Sequence, residues 1–89
     1  MAKKKMYYIG LHESELDTTD LAVCAINGRL TGMIQAITRE ETGFSRFVKS
    51  QDDIWLIHDV CATPRTYQRL KQIVTEQLAP FIDRIRFSE

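Results

Sequence analysis

The chain has 89 residues, with 44% hydrophobic and 27% charged side chains and twelve basic residues against twelve acidic ones. That length gives one small domain, residues 1–89, that buries roughly 60 to 65% of its unfolded surface, and the ordinary composition carries no bias that points to disorder. Zero formal charge excludes a global field towards nucleic acid or anionic membrane, so any such attraction must be local.

Residues 1–5 read as a flexible basic tail, and "KMYYIGL" as a short aromatic and aliphatic strand. No apolar run approaches the roughly 20 residues that cross a bilayer, and the start lacks a signal-type core and cleavage site. The expectation is a cytoplasmic protein with no membrane association. "HESELDTTD" follows as an acidic connection, in which Glu13, Glu15, Asp17 and Asp20 lack the alternation of a calcium loop. A solvated loop, or a contact surface for a basic partner, is the simpler reading.

In "LAVCAINGRLTGMIQAI", Asn27-Gly28 sits between two apolar segments, which predicts a tight type I′ hairpin pairing Ala25 with Leu30 and Val23 with Gly32. "EETG" has the form of a turn ending in glycine, so "FSRFVKS" returns as a strand before the turn "SQDD". The competing reading is a second short helix at 39–49, carried by a Thr38/Glu41 capping box and by Phe44, Phe47 and Val48 at helical spacing.

"IWLIHDVC" predicts a strand, apolar on both faces where it begins. Thr63 as cap, Pro64 at the first position, and the stripe Tyr67, Leu70, Val74 and Leu78 predict a long helix over about 64–79, ended by Pro80. The alternating "FIDRIRFSE" predicts a last strand. The fold class is therefore α+β: an antiparallel sheet of about 4–6 strands packed on one long C-terminal helix.

His12, Cys24, His58 and Cys61 are the only histidines and cysteines, and their spacing matches no zinc pattern, so two free thiols and no metal are expected. Strand alternation sends His58 and Asp59 to opposite faces, which splits any Cys-His-Asp triad, and no phosphate-binding glycine motif is present. The reading is a non-enzyme without cofactors.

One helix covers one face of a sheet, so the second apolar face requires a curled sheet, another helix or a partner chain. That predicts a non-catalytic interaction module, an inhibitor, adaptor or regulator, joined to a protein partner or to a second copy through the sheet. Trp55, Ile57, Met33, Ile26 and Tyr8 are the candidate contact residues. The alternative is nucleic-acid binding through Arg65, Arg69 and Lys71 of the helix and Arg84 and Arg86 of the last strand.

Overall fold

The structure, a computed structural model, describes residues 3–13, 21–39, 46–50 and 53–88. Its elements in chain order are β1 (Lys5–Glu13), α1 (Leu21–Thr38), β2 (Arg46–Ser50), β3 (Asp53–Ala62), α2 (Pro64–Gln77), a 3₁₀ segment (Ala79–Arg84) and β4 (Ile85–Phe87). The four strands form one sheet in the order β2-β3-β1-β4, with every neighbouring pair antiparallel. This β-α-β-β-α-β path, with β3 inserted between β1 and β2, is the split βαβ arrangement.

The predicted hairpin at Asn27-Gly28 is wrong: both residues lie inside α1. Ile26, Leu30, Met33, Ile34 and Ile37 recur at helical spacing, and Ile26, Leu30 and Ile34 are buried against the sheet. Burying each such side chain is worth about 1.5–3 kcal/mol. A glycine inside a helix costs only about 1 kcal/mol, so tertiary burial outweighs the local turn preference of Asn-Gly.

The competing reading of a second short helix at 39–49 fails over its described part, because Arg46–Ser50 is strand β2. Thr38 does not open a helix but closes α1, its hydroxyl donating to the carbonyl of Ile34 at 2.7 Å. The expected strand reading of "FSRFVKS" holds for residues 46–50, while "EETG" and the acidic run beyond Glu13 lie outside the described residues. The β2–β3 ladder closes at Ser50↔Asp53, where the turn "SQDD" was expected. Lys5 belongs to β1 rather than to a tail, paired with Ala62.

The C-terminal helix forms as expected: Thr63 caps it, accepting from the amide of Thr66 at 3.2 Å, and Pro64 occupies its first turn. It ends at Gln77, and Pro80 falls in the 3₁₀ segment, where its missing amide proton breaks no α-helical ladder. No helix among the described residues is long and apolar enough to cross a membrane.

Strand alternation decides where the core sits. Ile9 and Leu11 of β1, Leu56, Val60 and Ala62 of β3, and Ile85 of β4 share one face. They form one cluster with Ile26, Leu30 and Ile34 of α1 and with Tyr67, Leu70, Val74 and Leu78. Both helices therefore cover the same face. Tyr67 ties the layers together: its ring stacks on Tyr7 at 4.0 Å, and its hydroxyl donates to the carbonyl of Tyr8 at 2.7 Å and accepts from the amide of Ser88 at 3.0 Å.

Candidate functional site: the open sheet face

The opposite face of the sheet carries Met6, Tyr8, Gly10 and His12 from β1 and Trp55, Ile57, Asp59 and Cys61 from β3. Arg46 and Val48 of β2 flank them on one side and Arg86 of β4 on the other. Among the described residues, no helix lies over this face.

Trp55 is held there by its neighbours. A Cβ at Gly10 would come within 2.9 Å of Ile57 Cδ1 and 3.2 Å of Trp55 Cε3, so the bare glycine is what lets both side chains lie down across β1. A glycine in a strand interior marks such close approaches, and "YYIGL" carries that signal in the sequence. The Arg86 guanidinium stands 4.3 Å from the Trp55 ring centroid, and the His12 ring meets Trp55 at 4.8 Å, tilted by 59°. A guanidinium over an indole is favourable by about 0.5–1 kcal/mol at exposed sites and leaves the hydrogen-bonding edges of the arginine outward.

Arg46 and Asp59 add an ion pair on this face, with Nε donating to Oδ2 at 3.1 Å and Nη2 to Oδ1 at 3.3 Å. That contact raises the Arg46 pKa above its ordinary value. Cys61 is a half-buried free thiol on the same face. His58, next to Asp59 in sequence, points the other way into the core, with no exposure at all. Its Nε2–H donates to Oδ1 of Asn27 on α1 at 2.5 Å. Burial pushes the His58 pKa below its usual value, and the neighbouring Asp59 carboxylate offsets this only in part.

The structure sorts the candidate residues into places the sequence did not separate. Tyr8, Trp55 and Ile57 come together on the open face, Tyr8 and Trp55 half-buried and Ile57 buried at 8% exposure. Ile26 and Met33 do not: Ile26 is buried beneath α1, and Met33 packs against the same core, because both belong to a helix and not to a hairpin. The five basic residues likewise form no single patch. Arg65, Arg69 and Lys71 ride on α2, on the helical side, while Arg86 lies on the open sheet face beyond the core. The Arg84 guanidinium reaches the carbonyl of His12 at 3.4 Å.

His58 and the pair Asp59 and Cys61 are parted by the sheet, as alternation predicts, and His58 and Asp59 are engaged by Asn27 and Arg46 respectively. Among the described residues no three His, Cys, Asp or Glu side chains gather where a metal ion would need them. What the open face offers is shape, aromatic surface and a stacked cation. Comparison with protein-family models, with curated proteins and with solved structures finds no match to this chain.

Proposed function

We propose that this chain is a non-catalytic interaction module, an inhibitor, adaptor or regulator that acts by occupying a protein partner's surface with its open sheet face. The observation that carries the reading is the placement of both helices on one side, which leaves Met6, Tyr8, Trp55 and Ile57 together on the other. Met6 is 68% exposed, one of two large apolar side chains in that state among the described residues. Aromatic, methionine and arginine side chains are the types enriched at interface cores. Trp55, laid flat by Gly10 and backed by Arg86, is the natural anchor, since buried tryptophan and arginine dominate binding energy in such contacts.

The first partner to test is a second copy of the chain, because twofold homodimers are the commonest closed oligomers and their interface is one self-complementary patch. Sedimentation over a concentration series should show the 10.3 kDa chain moving towards twice that mass, and Met6→Glu and Trp55→Thr should keep it monomeric. If the wild type stays monomeric, capture from its host should recover a protein that Trp55→Thr no longer retains. A monomer whose captured proteins are the same with and without Trp55 defeats the reading.

A further inference from the structure

The zero net charge conceals a segregation. Eight of the twelve acids fall at 13–20, 40–41 and 52–53 in the sequence, whereas α1 with the following Arg39 contains Arg29 and Arg39 and no acid. In α2, Arg65, Arg69 and Lys71 precede its one acid, Glu76. The side of α2 away from Tyr67, Leu70 and Val74 presents Arg65, Gln68, Arg69, Gln72, Thr75 and Glu76, which with Lys71 line one shallow, open depression along the helix.

These charges run against what the helix itself prefers. Its first turn has no acid, and its last turn has no base. Arg65 near the positive end of the helix dipole and Glu76 near the negative end are both placed against it. Helix stability therefore does not explain the pattern.

We infer that the outer face of α2 binds the phosphate backbone of nucleic acid, through Arg65, Arg69 and Lys71 with Gln68 and Gln72 as neutral donors. The depression has the donors that phosphate contacts use, arginine, lysine and glutamine. It has no apolar anchor: the large exposed hydrophobics among the described residues, Met6 and Phe47, are both on strands. A protein interface needs such an anchor at its centre, and a phosphate backbone does not. The set differs from the one the sequence proposed, because Arg84 and Arg86 lie elsewhere and drop out.

Three phosphate contacts give a modest affinity with a defined salt signature. The logarithm of the binding constant should fall with the logarithm of salt at a slope of about −0.9 per contact, or roughly 40-fold weaker binding between about 50 and 200 mM salt. The test is anisotropy of a labelled mixed-sequence DNA duplex, and of an RNA strand, with the intact chain. Arg65→Gln and Arg69→Gln are solvent-facing and keep helix propensity, so the fold survives them, and each should lower the slope by about one. Polyglutamate at equal charge should compete poorly. No binding at low salt, binding unchanged in Arg65→Gln with Arg69→Gln, or equal competition by polyglutamate, which would assign the face to an acidic protein, each overturns the inference. Trp55→Thr should leave this binding intact, which separates its outcome from that of the sheet face.

Discussion

The pair His58 and Asn27 shows how a buried imidazole ties a helix to a strand. An imidazole with no solvent exposure, donating to an amide oxygen across the sheet–helix boundary, fixes α1 over β3 while it is neutral. Protonation would leave a charge in the core. Because burial holds the folded-state pKa below the usual 6.5, the unfolded chain binds its proton first as pH falls. The contribution of His58 to stability is thus complete above about 6.5 and is lost progressively below it, as pH falls from the unfolded towards the folded pKa. Urea unfolding at pH 7.5 and 5.5 should show a lower midpoint in acid, and the imidazole resonance of His58 should titrate below 6.5. A midpoint at or above 6.5 would contradict the burial seen here.

At the level of elements, α1 is where the sequence was hardest to read. Asn-Gly is the strongest short-range hairpin signal, and residues 21–34 can be written with period two as readily as with 3.6. What decides between them is long-range: Ile26, Leu30 and Ile34 have a core to enter only once β1 and β3 have formed. By contrast, β1, β3 and α2 were legible because their signals agree at every level. Continuous apolar runs suit strands central to a sheet, and Thr63, Pro64 and a stripe of four apolar residues define one helix. The two readings of α1 predict opposite effects of one substitution. In a type I′ turn Gly28 would need positive φ, and alanine there would be costly. In α1 no glycine has positive φ and nothing lies within 4 Å of a Cβ at Gly28, so Gly28→Ala should stabilise by up to about 1 kcal/mol. For a domain of this size that raises Tm by about 4–8 °C, readable by thermal unfolding.

On the scale of the whole molecule, the sheet parts two surfaces of different character. One is aromatic, with Trp55 and Arg86 stacked at its centre; the other is the cationic outer face of α2. The sequence could not assign residues to faces, since placing Ile26 and Met33 in a sheet moved core residues onto the surface, and Arg86 of the last strand was taken with the basic residues of α2 as one set. The outer face of α2 stands a full helix diameter, about 10 Å, beyond the sheet, and the core cluster fills the space between. Sites that far apart with no shared side chain contribute additively to within about 0.5 kcal/mol. Nucleic-acid affinity and protein association, measured for Trp55→Thr, for Arg65→Gln with Arg69→Gln, and for the combination, should therefore show each variant acting on its own ligand alone, with a coupling of no more than about twofold. A larger coupling would mean that the core relays one surface to the other. The residue placed to do so is Tyr67, which belongs to α2, stacks on Tyr7 and holds the carbonyl of Tyr8 on the strand that supports the aromatic face.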